Sequence, residues 1–221
     1  MTVNIAIDGP AGAGKSTIAK TVSKKLGFIY VDTGALYRTV GLNVLRQGKN
    51  TKDPDDVVPT LDGLDISLRF VDGEQRVFLG DEDVSEAIRQ NEVSMAASNV
   101  SAIPSVREFL FGLQRDIAQK NDCIMDGRDI GTVVLPNAQI KIYLTASAQA
   151  RAERRFKELT EKGQDVVYDD ILKDIELRDY QDTHREIAPL KKADDAVLVD
   201  TTELDLDGSI EYMLNVIKER L

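Results

Sequence analysis

The sequence predicts an α/β fold: a parallel sheet flanked by helices, with a small antiparallel insert. Three observations predict it. The chain opens as strand, glycine-rich turn, helix, strand and helix, an order that requires parallel strands joined by crossover helices. Short apolar runs recur after residue 120, separated by helical patterns. Between the two, the apolar period switches from helical to alternating over Asp65–Phe70.

In order, Val3–Ile7 reads as a buried strand, followed by the glycine-rich turn Gly9–Gly14. Ser16–Leu26 carries Ile18, Ala19, Val22 and Leu26 at the spacing of one helix face. Phe28–Val31 is a second strand and Gly34–Gln47 a second helix. Asp65–Phe70 places Ile66, Leu68 and Phe70 on one face; the turn Asp72-Gly73-Glu74 leads to Arg76–Leu79, an antiparallel hairpin. Helical patterns cover Asn91–Ala102 and Ser105–Gln119, divided at Pro104 because the residue before a proline avoids helical geometry. Strands Cys123–Met125 and Ile140–Leu144 follow. A charged helix Ser147–Lys162, a loop Gly163–Val167 and a helix Asp169–Arg185 come next. Ala196–Val199 is the fifth core strand, and Leu206–Leu221 closes the chain as a helix.

Composition narrows the function classes. The chain has 221 residues, 38 acidic against 28 basic, and a formal net charge of −10. A field of that sign repels polyanions, so nucleic acid and anionic membranes are not expected partners. Small anionic substrates stay possible where arginines gather in one cleft. The lone cysteine, Cys123, lies in an apolar run and reads as a buried thiol. With no internal disulfide to form, it fits a reducing cytosol, and a cytoplasmic location is expected. No apolar stretch is long enough to span a bilayer. Met1–Asn4, with Asp8 soon after, does not read as a secretory leader. Small size without a long heptad pattern predicts a monomer.

Residues Gly9-Pro10-Ala11-Gly12-Ala13-Gly14-Lys15-Ser16 fit G-x-x-x-x-G-K-[ST] at every fixed position. Glycines let the backbone curl until successive N–H groups point at phosphate oxygens, and the helix that follows presents its positive end to the same anion. Lys15, expected to be exposed on this loop, reaches the β- and γ-phosphates as a point charge. The Ser16 hydroxyl suits the Mg²⁺ that travels with ATP, and Thr17 completes the nucleotide-binding stretch. GTPases, transport ATPases and helicases share this motif. A guanine-reading Asn/Thr-Lys-x-Asp segment is missing, and the chain is too short for a transport ATPase and too short and acidic for a helicase.

Arg38, Arg107, Arg128, Arg151, Arg154, Arg155, Arg178 and Arg185 are dispersed along the chain, several flanking loops at strand C-termini, where open α/β sheets bind ligands. Transfer between two phosphorylated substrates crowds negative charge, which guanidinium groups neutralise with directional hydrogen bonds. The run Arg151-x-x-Arg154-Arg155 also fits a plain polar helix face.

Three segments carry a resemblance. Asp32-Thr33-Gly34-Ala35-Leu36-Tyr37-Arg38, Asp126-Gly127-Arg128-Asp129-Ile130-Gly131-Thr132 and Arg178-Asp179-x-x-Asp182-x-x-Arg185 resemble bacterial-type cytidylate kinases, as does the phosphate loop, over essentially the whole chain. The resemblance implies a P-loop nucleoside monophosphate kinase fold with a five-stranded parallel sheet. It divides one domain into a core (about 1–35, 104–150 and 169–221), a monophosphate-binding region with the insert (about 36–103) and a short lid (about 151–168). It implies ATP-dependent phosphorylation of CMP and dCMP to CDP and dCDP, in pyrimidine nucleotide metabolism. Arg38, Arg128 and Arg185 would hold the acceptor phosphate, and Ser98, Arg107 and Asp129 would read cytosine. Tyr37, Arg178 and Asp182 would line the sugar site, with Thr33 and Asp126 also on the substrate side. Arg154 and Arg155 would close on ATP, and Lys15, Arg128, Arg154 and Arg185 would act on the transferring group.

Residue chemistry agrees for the base: a carboxylate accepts from the cytosine amine, while Arg and Ser donate to its N3 and O2. Asp129 could instead orient Arg128 or another arginine, and Asp182 could be a helix-surface acid. His184, the only histidine, reads as solvated or packing. A kinase for UMP or another small acceptor, and a nucleotide-dependent switch, are the other functions this pattern allows.

Overall fold

The computed structural model describes residues 2–71 and 74–221. The order of elements is β1 (Asn4–Asp8), α1 (Lys15–Leu26), β2 (Ile29–Asp32), α2 (Thr33–Arg46), α3 (Pro54–Val57), β3 (Ile66–Val71), β4 (Glu74–Leu79), β5 (Glu82–Asp83), α4 (Asn91–Val100), α5 (Pro104–Lys120), β6 (Cys123–Gly127), β7 (Ile140–Thr145), α6 (Ala148–Glu161), α7 (Tyr168–His184), β8 (Val197–Asp200) and α8 (Leu206–Lys218). Short 3₁₀ turns occupy Val58–Leu61 and Ala87–Arg89, and a π-helical turn occupies Ile130–Val134. The chain divides into two compact units, Met1–Tyr30 with Asn121–Leu221, and Val31–Lys120.

The first unit is built on a five-stranded sheet in the order β2-β6-β1-β7-β8, flanked by helices. β1 is central and pairs in parallel with β6 and β7. Its register sets Asp8 opposite both Gly127 and Tyr143, so the chain leaves β1 beside the ends of both neighbours. Ile5, Ile7, Ile124, Ile140, Ile142, Leu144 and Val199 form the sheet side of one apolar cluster. Ile18, Ala19 and Val22 of α1 and Ile210, Met213 and Ile217 of α8 close over it. These are the i, i+3/i+4, i+7 positions of amphipathic helices. α1 ends at Gly27 in left-handed geometry, and the side chains of Ser147 and Asp205 cap α6 and α8 by accepting from Ala150 N and Gly208 N.

The second unit holds the antiparallel sheet β3-β4-β5, with Ile66 opposite Leu79 and Leu68 opposite Val77. Asp72 and Gly73 of the expected hairpin turn lie outside the described residues. α2 and α4 pack together. Leu36, Val40 and Val44 of α2, Val93 and Val100 of α4, and Val106 and Leu110 of α5 form its separate apolar cluster. Asp32 caps α2 by accepting from Ala35 N at 3.0 Å. α5, grouped by the sequence with the core, clusters with this unit. Pro104 is the first residue of α5, where its missing N–H costs nothing. Among the described residues, no helix is long and apolar enough to cross a membrane.

Candidate active site

The loop between β1 and α1 is held from its two ends. Gly9 has φ 154°, and a Cβ there would lie 1.9 Å from the Leu144 carbonyl oxygen of β7, so only glycine fits. Gly14, in left-handed geometry, precedes α1, whose first turn has no acidic residue to oppose an anion.

The sequence reading expected Lys15 to be exposed on the loop; it is instead buried. It is the first residue of α1, 6% exposed, and its Nζ donates to Gly9 O and Pro10 O, both at 2.7 Å. The reason is the curl of the loop: its carbonyls turn toward the amine and replace water. Burial, with help from Arg128, pushes Lys15 down to about 7; Asp126, Asp182 and Asp8 pull the other way.

Ser16 Oγ donates to Asp126 Oδ2 at 2.9 Å, and Tyr30 Oη donates to Asp126 Oδ1 at 3.1 Å. A hydroxyl and a buried carboxylate side by side are hard oxygen donors, the set that fits Mg²⁺. Asp126 therefore lies on the loop side, against Ser16. The neighbouring β1 residue Asp8 accepts from Ile130 N and Gly131 N at 2.7 Å each, anchoring the π-helical turn that follows Arg128 and Asp129. Burial pushes Asp8 up to about 6 against those two hydrogen bonds.

Of the predicted arginines of this unit, Arg128, Arg151, Arg155 and Arg185 sit in ion pairs. Arg128 Nε donates to Asp182 Oδ2 at 2.7 Å. Burial raises the Asp182 pKa, but Arg128, Arg185 and Arg178 outweigh it and hold the carboxyl below its usual range. Asp182 is thus no helix-surface acid. Arg185 Nη2 lies 3.6 Å from Asp129 Oδ1, and its Nε donates to Ala188 O at 2.7 Å. Ala188 has φ 47°, a strained conformation for a residue with a Cβ, and it presents that carbonyl. Asp129 is 5% exposed and meets Arg185 in the manner of the orienting partner.

Arg154 donates to Thr201 O and, at 3.1 Å, to Leu204 O, in the β8–α8 connection. A depression of about 610 Å³ lined by Asp200, Thr202, Glu203, Leu204, Gly208 and Tyr212 opens there. Arg155 is paired on the surface with Glu158 at 2.9 Å. Cys123 is buried, and burial pushes its thiol up to about 12. His184 is exposed and stacks on Tyr180 at 4.0 Å.

In the second unit, Arg38 Nη2 meets Asp32 Oδ2 at 2.7 Å, and Thr33 is buried at the start of α2. Arg107 is 3% exposed, donates to Ser101 O at 3.4 Å, and lies 5.9 Å over the Tyr37 ring and 5.4 Å over Phe111. Ser101 Oγ in turn donates to Ser98 O at 2.8 Å, so Ser98 and Arg107 are linked through Ser101, and Tyr37 meets Arg107 directly. The sequence reading missed Ser101, and it quoted Asp8 and Asp179 within motifs without giving either a role. Asp8 had a usable signal, an acid closing an apolar strand.

Phosphate binding is the chemistry this loop is shaped for, and on this sheet, with this arginine supply, it defines a P-loop kinase, a nucleotide-binding phosphotransferase. The chain belongs to the cytidylate kinase family, whose model matches residues 5–219. It is 53% identical over 214 residues to the cytidylate kinase of Caldicellulosiruptor bescii, covering 97% of this chain and 95% of the relative. It is 51% identical to that of Caldicellulosiruptor saccharolyticus over the same shares. A solved structure of an uncharacterized protein from Eubacterium ventriosum has the same fold, with a TM-score of 0.56 at 12% identity, covering 99% of this chain and 100% of that one.

Proposed function

We propose that this kinase transfers the γ-phosphoryl group of ATP to the 5′-phosphate of CMP and dCMP, giving CDP or dCDP and ADP. The observation that carries it is the joint one: a phosphate loop with Lys15 folded into it, in a chain half identical to cytidylate kinases over nearly its full length.

The attacking atom is a phosphate oxygen that is already anionic, so no strong general base is required. What the chain supplies is position and positive charge. Loop N–H groups and the start of α1 hold the triphosphate. Lys15 leaves the Gly9 and Pro10 carbonyls for the transferring group. Ser16, with Asp126 behind it, would hold Mg²⁺, which supplies charge neutralisation between the phosphates when bound. Arg128 and Arg185 take the acceptor phosphate, released from Asp182 and Asp129 as a stronger anion arrives. Asp129 accepts from the cytosine amine, and Arg178 and Asp182 take the sugar. Arg38, Tyr37, Ser98, Thr33 and Arg107 keep the roles that the family resemblance gives them. Residues 151–168 act as the lid that excludes water, with Arg154 and Arg155 turning to ATP.

Coupled ADP release with CMP, dCMP, UMP and AMP tests the reading. Release that depends on CMP or dCMP supports it. Equal release without any monophosphate, or a higher rate with UMP or AMP, overturns it.

A further inference from the structure

Every guanidinium nitrogen of Arg151 is hydrogen-bonded, and the transfer chemistry above does not use this residue. Its side chain is 4% exposed. Nε donates to Ala146 O at 2.9 Å, where the chain leaves β7. Nη1 donates to Ala11 O at 2.8 Å, at the crown of the phosphate loop. Nη1 and Nη2 also form a fork on Asp179 of α7, at 3.0 and 2.5 Å. The aliphatic stem packs on the same place: a Cβ on Gly12 would lie 3.6 Å from Arg151 Cβ.

The Ala11 hydrogen bond has a stereochemical consequence. In a trans peptide the C=O and the following N–H point in opposite directions. Holding Ala11 O on Arg151 therefore aims the Gly12 N–H away from Arg151. Gly12 has φ 74° and no Cβ, so by itself this peptide rotates with little steric resistance. A half-turn would present a carbonyl dipole where a donor is needed. We propose that Arg151, held by Asp179, is a positioning residue for ATP: it fixes the Ala11–Gly12 peptide with its N–H available to the triphosphate. This rests on the loop being the ATP site. Arginine suits the task because one planar group serves two carbonyls and a bidentate carboxylate together, which an ammonium group cannot do. The same bonds join α6, α7 and the loop, so the orientation of that peptide depends on both helices being in place.

The test measures ATP binding by calorimetry without acceptor, and KM for ATP and for CMP separately, in Arg151→Met, Arg151→Lys and Asp179→Asn. Methionine keeps the stem and loses every donor. Arg151→Met is expected to weaken ATP binding and raise KM for ATP at least about 10-fold, with KM for CMP changed less than about threefold. Arg151→Lys should recover part of the loss. Asp179→Asn, which keeps the shape of the fork, should lie between parent and Arg151→Met; it also carries the test if Arg151→Met does not fold. ATP binding within twofold of the parent in the folded variants would overturn the proposal. So would equal rises in both KM values, the pattern of general loosening. Failure of the parent itself to bind ATP would overturn the ATP-site reading, and this proposal with it.

Discussion

The two units bury different kinds of polar group. In the first, Asp8, Lys15, Asp126, Asp129 and Arg151 are ionisable and buried. In the second, the buried polar side chains among the described residues are Thr33, Thr39, Thr51, Thr60, Ser85 and Gln114, with Arg107 the single ionisable one. Buried charge is costly unless paired, and replacing such pairs with apolar residues commonly stabilises a protein. The first unit therefore carries an electrostatic burden that its fold does not need. The second unit instead buries neutral hydrogen-bonding groups and one stacked guanidinium. Groups displaced far from their ordinary pKa follow the same division: Asp8 and Lys15 lie in the first unit, while the shifted Arg46, Glu82 and Asp83 of the second are surface groups.

The strongest way to break this comparison is at Lys15. Lys15→Met should lower kcat by several kcal/mol, about 10²- to 10³-fold, because its charge serves the transferring group. The fold should survive, since Lys15 bonds only to its own loop and packs no part of the apolar cluster. A folded variant with near-normal kcat would end the assignment.

Next comes Asp8, through the pH dependence of stability. Its pKa is raised by burial from 3.8 to about 6 in the folded chain. Below about 4 the carboxyl is protonated in both states and contributes nothing. Between 4 and 6 the folded state holds the proton more tightly, so stability falls as pH rises, levelling off above 6. The full difference is on the order of 3 kcal/mol. Urea unfolding of the parent and Asp8→Asn at pH 4.5 and 6.5 reads it: the variant should lose this downward slope, and an identical slope in both would refute the assigned burden.

How far the sequence showed these two units differs as well. The phosphate loop and the five core strands were legible because their signals are local: a fixed motif and short apolar runs. The burial of Lys15 was not, since it depends on carbonyls of the loop's own curl. Nor was the π-helical turn at Ile130–Val134, which Asp8 anchors from 122 residues away. α3 and β5 escaped because four and two residues carry no usable period. Arg151 looked like one more polar residue on a charged helix, and only the return of α7 with Asp179 shows otherwise.

Asp129 sharpens the comparison at its edge. It faces Arg185 at 3.6 Å, so it could serve the base or only the arginine. If it reads the cytosine amine, Asp129→Ala lowers kcat/KM for CMP about 10- to 100-fold while UMP changes little, and the CMP/UMP ratio narrows. Equal losses for both substrates would leave it as support for Arg185. The smallest effect is expected in the second unit. Arg107→Met keeps the aliphatic stem but loses the guanidinium over Phe111, and should raise KM for CMP about 10-fold, near 1.4 kcal/mol. KM for ATP should stay within twofold; a matching rise there would erase the functional division between the units.

Gly9 sets a limit on every one of these changes. Its backbone passes the Leu144 carbonyl with clearance for a hydrogen atom and no more. The loop is thus mounted on β7 by bare main chain, and no side chain can tune that distance. Its origin serves as a fixed reference, and any adjustment to a ligand falls to the residues downstream of Pro10. For anyone redesigning the donor site, β7 is then the place to handle with most care. A shift in its register would carry the start of the phosphate loop with it, although none of its side chains need touch a nucleotide.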